Sequence, residues 1–294
     1  MKAATEGSQS ARDLDGRRYI ITGPYSGIGR VTARNLASRG AALVLAGRSI
    51  EQCRSLAAEL RGPGEADRID VLALNLADFS SVRAAAEQVL ARGGRIDGLI
   101  NNAGVAGSRG VTRDGFELAF GVNHLGHFLF TRLLEARLRE SAPSRVVNVA
   151  SEAHRRIHGL DFEAVRGRTR TRTGLHEYGV SKLCNILFAR EIARRWAGSG
   201  ITAYALHPGV IATDIWRSVP QPLRGLLTFW MKTPEAGAAT SIFCTTHPAL
   251  ANVNGRYFMN ERESRPNRAA QDDGLAARLW DESEKMVRLA VEKN

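Results

Sequence analysis

Apolar residues in this chain gather in short runs, each closed by glycine or a polar turn. The runs fall at residues 17–22, 42–47, 97–100, 146–150 and 202–207, with another ending Leu74-Asn75-Leu76. Each resembles a buried strand, β-branched or aliphatic along its length. Between them lie stretches of helical period, of which residues 30–37 and the segment around Asn123 are examples. Strands alternating with helices of roughly 12–15 residues predict βαβ units and a parallel α/β sheet. At 294 residues and 44% hydrophobic, the chain is expected to close one large core as a single domain over residues 16–294. No repeat, heptad run or low-complexity tract interrupts the pattern. Residues 1–15 are small and polar and are expected to be a disordered lead-in, without the apolar run of a signal peptide or membrane anchor.

The first strand runs into Gly23-Pro24-Tyr25-Ser26-Gly27-Ile28-Gly29, and a helix follows. Strand, glycine turn and helix let backbone N–H groups and a helix N-terminus approach a pyrophosphate, while Gly29 allows close helix–sheet packing. The spacing is G-x-x-x-G-x-G rather than the commonest dinucleotide fingerprint. The second strand ends at Gly47-Arg48-Ser49, with no carboxylate before Glu51. An NAD-selective site places an acid there for the ribose 2′-hydroxyl. Arginine instead pairs with a 2′-phosphate, so the expectation is NADP(H).

Tyr178 and Lys182 stand at i, i+4, on one face of a helix. A phenol beside an ammonium is a proton donor and acceptor, and the cation is expected to lower the tyrosine pKa from about 10. In open parallel sheets ligands bind beyond the carboxyl ends of the strands. The glycine turn, Asn101-Asn102-Ala103-Gly104, Ser151 and Pro208-Gly209 all follow strands, so they are expected on one rim.

Taken in series with Asn123 in Gly121-Val122-Asn123-His124 and with Thr213, these motifs resemble the short-chain dehydrogenase/reductase family. The likeness runs from about Gly16 to about Val291. It is closest to the retinol dehydrogenase-like branch through Gly121-Val122-Asn123-His124-Leu125-Gly126-His127-Phe128, His207-Pro208-Gly209-Val210 and Leu279-Trp280-Asp281-Glu282-Ser283-Glu284-Lys285. The resemblance implies a Rossmann-type doubly wound parallel sheet with helices on both faces. It implies catalytic roles for Asn123, Ser151, Tyr178 and Lys182. Tyr178 gives the proton, Ser151 positions the reacting oxygen, Lys182 bonds the nicotinamide ribose, and Asn123 holds a water that relays protons. It implies a cofactor surface of Gly23, Tyr25, Ser26, Gly27, Ile28, Gly29, Arg48, Asn75, Leu76, Asn102, Ala103, Gly104, Tyr178, Lys182, Pro208, Gly209, Val210 and Thr213. Three departures from the family stand out, one of them the arginine-heavy, poorly matched stretch from Arg155 to His176. Pro24-Tyr25 replaces Ala-Asn, placing Tyr25 over the adenosine side. Asn75 replaces the Asp that contacts the adenine amino group, and its amide oxygen still accepts such a bond.

The apolar stretch at residues 211–231 is expected either to pack as a helix into the core or a dimer surface, or to close a lipophilic substrate pocket as a lid. Cys53, Cys184 and Cys244 lack metal-ligand spacing and read as reduced thiols of a cytoplasmic protein. His124 and His127 read as structural, and no metal is expected. The net charge of +11 raises nucleic-acid binding, but no such module is visible. Its densest source is Arg166-Gly167-Arg168-Thr169-Arg170-Thr171-Arg172. That stretch is either a solvated loop or a docking site for an acidic or carrier-bound substrate. Family members pair as homodimers or homotetramers through the helices bearing Asn123 and Tyr178, or stay monomeric. Hydride transfer to or from a lipophilic ketone, aldehyde or alcohol is the leading function. The alternative is a redox-neutral epimerase, dehydratase or cyclase on the same fold.

Overall fold

Strands β1 (Arg18–Thr22) and β2 (Ala42–Gly47) are apolar on both sides because both sides are covered. Successive side chains point to opposite faces. Ile20 and Val44 therefore join one core layer, while Ile21, Leu43 and Leu45 join the other. The structure, a computed structural model, describes residues 12–62, 68–209 and 234–288.

The chain continues as α1 (Gly27–Ser38), α2 (Ile50–Leu60), β3 (Ile69–Ala73), α3 (Phe79–Arg92) and β4 (Gly98–Asn101). Next comes one continuous helix, α4 (Leu118–Phe120), a π-helical turn at Gly121–Leu125 and α5 (Gly126–Leu133). Then follow α6 (Glu135–Glu140), β5 (Ser144–Val149), α7 (Leu175–Arg195), β6 (Ile201–His207), α8 (Pro234–Thr246), β7 (Arg256–Met259), β8 (Arg262–Glu263) and α9 (Asp273–Val287). The sheet order is β3-β2-β1-β4-β5-β6-β7-β8, parallel through β7, with β8 antiparallel. The connection reverses between β1 and β4, the switch point at which such sheets bind ligands.

The six expected strands form close to their expected limits. β3 stops at Ala73, before Asn75, although the Leu74 N–H still bonds the Gly47 carbonyl at 3.0 Å. The lead-in ends earlier than Asp15. Leu14 is buried, its N–H bonds the Arg39 carbonyl at 3.0 Å, and Asp13 pairs with Arg39 at 2.5 Å. One buried apolar side chain flanked by an ion pair is enough to anchor this segment. Residues 1–11 lie outside the described residues, as do Val210, Thr213 and the expected lid at 211–231.

Beneath the sheet, buried Asp97 accepts from Arg17 Nη1 at 2.7 Å, from Arg95 Nε at 2.9 Å and from the Arg18 N–H at 2.9 Å. This clamp ties β1 to β4 at the end opposite the rim.

Candidate active site

The glycine turn is held from below by Asn102 and Thr22. Asn102 Nδ2 donates to the Thr22 carbonyl at 2.8 Å and to the Gly23 carbonyl at 3.1 Å. Thr22 Oγ1 accepts from the N–H groups of Asn102 and Ala103 at 3.0 and 2.9 Å. With both acceptor positions used, its hydrogen goes to His127 Nε2 at 2.8 Å. That fixes the imidazole tautomer, so Nδ1–H donates to the Asn123 carbonyl at 3.1 Å. Burial pushes the His127 pKa down to about 4, consistent with this neutral ring. A β-carbon at Gly29 would fall 2.3 Å from the Gly23 carbonyl oxygen, so only glycine admits this close turn. Ser26 stands at the N-cap of α1, exposed, with its hydroxyl making no capping bond, and Ile28 is half-buried.

Tyr25 lies against the end of β2. A β-carbon at Gly47 would come 2.6 Å from Tyr25 Cε1 and 3.0 Å from Cys53 Sγ. Arg48 follows, exposed, with no ion-pair partner among the described residues. Across the rim, Asn75 Oδ1 accepts from the Ala77 N–H at 3.2 Å in a local turn, leaving one lone pair for another donor. Leu76 is buried, and its carbonyl lies where a β-carbon on Gly126 would come within 2.5 Å.

Helix α7 carries Tyr178 and Lys182, both facing the end of β5. Lys182 Nζ donates to the Val149 carbonyl at 2.8 Å and stands 5.5 Å from the Tyr178 ring centroid. The expected lowering of the tyrosine pKa is not what the structure gives. Burial raises Tyr178 above its ordinary value, and the nearby Ser151 hydroxyl offsets this only in part. Burial also lowers Lys182 to about 8, and one of its three ammonium hydrogens goes to a backbone carbonyl.

Asn123 sits in the π-helical turn, a distortion often found at functional sites. Its Nδ2 donates to the Val105 carbonyl and to Ser181 Oγ, both at 2.9 Å, and its Oδ1 accepts from the Val105 N–H at 2.8 Å. The side chain is therefore committed to fixing the wall after Gly104, with one lone pair left on Oδ1 and one on the backbone carbonyl beside its bond from His127. Pro208 is buried and Gly209 adopts φ 96° beyond β6, where His207 Nδ1 accepts from the Glu152 N–H at 3.4 Å.

The rim thus gathers Gly23 to Gly29, Asn102 to Gly104, Asn123, Ser151, Tyr178, Lys182 and Pro208-Gly209. Sequence reasoning overlooked Thr22, Ser181, His154 and Asn267. Ser181 Oγ donates to the Tyr178 carbonyl at 2.7 Å while receiving Asn123. His154 is fully buried; Asn267 N–H reaches its Nε2 at 3.3 Å, so Nδ1–H donates to the Ser151 carbonyl at 2.6 Å. Its place three residues after the serine was the only available signal.

The arginine-rich stretch alternates. Arg166, Arg168, Arg170 and Arg172 are exposed, while Thr169 and Thr171 turn inward to Glu117 and Glu177. Glu177 precedes Tyr178, so the stretch is fastened to the start of the catalytic helix.

A dinucleotide fits this rim. At Gly104 a β-carbon would lie 3.1 Å from Asn123 Oδ1 and 3.5 Å from Lys182 Nζ, so the bare backbone keeps that approach open. Gly29 does the same beneath the turn. A family model described as short chain dehydrogenase matches residues 17–223. Human retinol dehydrogenase 13 is 40% identical over 290 residues, covering 95% of this chain and 87% of the relative. The crystal structure of an uncharacterised protein from Mycobacterium paratuberculosis matches at TM-score 0.74 and 33% identity, over 94% of each chain. A gluconate 5-dehydrogenase from Burkholderia cenocepacia, crystallised with NADP and tartrate, matches at TM-score 0.67 and 27% identity, over 84% of this chain and 94% of that one. The redox-neutral alternative is not favoured by these relatives. The chain belongs to the short-chain dehydrogenase/reductase family, in its retinol dehydrogenase-like branch, and is an NAD(P)-dependent oxidoreductase acting on an alcohol/carbonyl pair.

Proposed function

We propose that the protein is an NADP(H)-dependent carbonyl reductase or alcohol dehydrogenase for a lipophilic ketone, aldehyde or alcohol. One observation carries this reading: helix α7 brings Tyr178 and Lys182 to the end of β5 beside Ser151, with Lys182 Nζ 5.5 Å from the tyrosine ring centroid and bonded to the Val149 carbonyl, on the rim of the glycine cradle. The dinucleotide, when bound, supplies or accepts the hydride. Gly23, Tyr25, Ser26, Gly27, Ile28 and Gly29 hold its pyrophosphate and adenosine side, with Asn75 and Leu76 at the adenine. Asn102, Ala103, Gly104, Pro208 and Gly209 border its other half. Lys182 holds the ribose through the two ammonium hydrogens that Val149 leaves free.

Tyr178, kept protonated by burial, hands its proton to the substrate oxygen during reduction. Ser151 donates to the same oxygen and orients it. In the oxidative direction Tyr178 accepts the alcohol proton, a step its raised pKa makes easier once the phenolate has formed. Asn123 keeps the Val105 wall and Ser181 in place, and its backbone carbonyl at the π-helical turn has a lone pair left for a relaying water.

Support for the 2′-phosphate comes from Arg48, an exposed cation just past β2 with no ion-pair partner among the described residues, where an acid would repel phosphate. Exposed Arg168, Arg170 and Arg172 border the start of the catalytic helix and favour substrates that carry an anionic group. An NADPH-rich cytoplasm suits the reductive direction.

The test is coenzyme depletion against a panel of lipophilic ketones, aldehydes and quinones. NADPH is expected to be consumed and NADH to serve poorly. Arg48→Ala is expected to lower kcat/KM for NADPH by about 10–100-fold, the scale of a lost charge-assisted contact, with little change for NADH. Equal use of both coenzymes by wild type and variant would refute the selectivity.

A further inference from the structure

A pocket of about 460 Å3 lies between the later turns of α7 and the β7–β8 hairpin. Arg190 lines it from the helix, Tyr257 and Arg256 from β7, and Glu263, Arg265 and Gln271 from the hairpin and the segment beyond. Arg190 is more than three turns past Tyr178, about 18 Å along the axis. The pocket is therefore separate from the catalytic hydroxyl and is not part of the site described above.

Two polar atoms there are buried without a hydrogen-bond partner, Arg190 Nε and Tyr257 Oη. Tyr257 is 3% exposed. Native interiors seldom leave such groups unmatched, and each exception calls for a cause. Arg190 is held still, its Nη2 bonded to the Gln271 carbonyl at 3.3 Å and to Asp273 Oδ1 at 2.6 Å, with the Nε hydrogen unclaimed. Tyr257 keeps its proton, because burial and nearby Glu152 both raise its pKa, so its hydroxyl is available as a donor. At the mouth Arg256 makes only a long contact with Glu263, at 3.5 Å, and Arg265 Nε donates to the neutral Gln271 at 3.1 Å. The lining carries three guanidinium groups against one carboxylate.

We propose that this pocket is a second ligand site that takes an oxyanion, phosphate or carboxylate, of a small soluble molecule. Donors at its floor and cations at its mouth have the chemistry for a group with several acceptor oxygens. Its volume lies in the range of small-molecule sites. The pocket shares a wall with the active-site loop: the Tyr257 ring stands edge-on to His154 at 5.2 Å, and His154 grips the Ser151 carbonyl.

The test measures thermal unfolding of the full chain in inorganic phosphate and in succinate, against chloride at matched ionic strength. A saturable rise of about 2–4 °C is expected at a probe concentration tenfold above its Kd. The Arg256→Ala/Arg265→Ala double variant changes only exposed side chains and should fold, yet lose the rise. Tyr257→Phe should fold and shrink it. Arg48→Ala should keep it, which separates this pocket from the proposed 2′-phosphate position. No saturable rise with either probe, a rise that survives in the double variant, or one that disappears in Arg48→Ala would each overturn the proposal.

Discussion

Lys182 shows how burial changes the meaning of a spacing. Its place four residues after Tyr178 puts both side chains on one face, and that was legible because helical geometry alone dictates it. The direction of the electrostatic effect was not legible. Spacing says nothing of solvent, and solvent removal lowers the lysine to about 8 while raising the tyrosine. One consequence is a titration. Below pH 8 Lys182 carries its charge in the free enzyme, and above it the charge is lost, well before an ordinary lysine at 10.5. kcat/KM for the coenzyme, which reports the free enzyme, is expected to fall with the loss of one proton near pH 8. Lys182→Arg should shift that limb beyond the measurable range. A profile flat to pH 10 would contradict it. Thr22 and His154 were illegible for a different reason, while His127 was legible as structural but without its partner. Thr22 and His127 are 105 residues apart and meet only because the end of β1 lies against the first turn of α5.

At the scale of elements, six strands and the helices between them followed from the apolar runs, because parallel strands covered on both faces are continuously apolar. The β7–β8 hairpin did not follow. Only Tyr257 and Phe258 of β7 are fully buried, and two such residues make too short a run to stand out. Segment 279–285 was legible as a family likeness, but its purpose lies in packing. On α9, Trp280 is 3% exposed and its ring stands 5.1 Å from Phe128, 5.8 Å from Phe188 and 6.1 Å from Trp196. The guanidinium groups of Arg132 and Arg195 lie over it at 5.2 and 5.1 Å. These contacts fasten α9 to the helices that bear Asn123 and Tyr178. Trp280→Ala is expected to cost about 3–5 kcal/mol in urea unfolding, as for other large-to-small changes in a core. A loss below about 1 kcal/mol would mean that α9 is not part of the cooperative core.

Among the described residues three fully buried histidines, His124, His127 and His154, resist protonation, the first two most strongly. His124 is lowered to about 3 and His127 to about 4, chiefly by burial. Both lie below the ordinary 6.5, so the unfolded chain binds more protons as pH falls through that value. The stability they contribute is complete above pH 6.5 and drains away toward their folded pKa values. Between pH 6.5 and 5 the loss is about 2 kcal/mol per histidine. Urea unfolding across that range should show it, with His124→Gln removing about 2 kcal/mol of the loss. A stability that stays level from pH 7 to 5 would contradict the burial of both rings.

All of this positions one hydroxyl, and replacing it is the most direct measurement. Tyr178→Phe removes the proton donor and leaves the ring, the helix and Lys182 in place. NADPH binding, followed by fluorescence titration, is expected to match wild type, while turnover falls by about 10³-fold or more, since proton transfer and alkoxide bonding are lost together. Wild-type turnover in a variant that binds NADPH normally would contradict the assignment of Tyr178 as the proton donor, and with it the reading of this rim as the catalytic site.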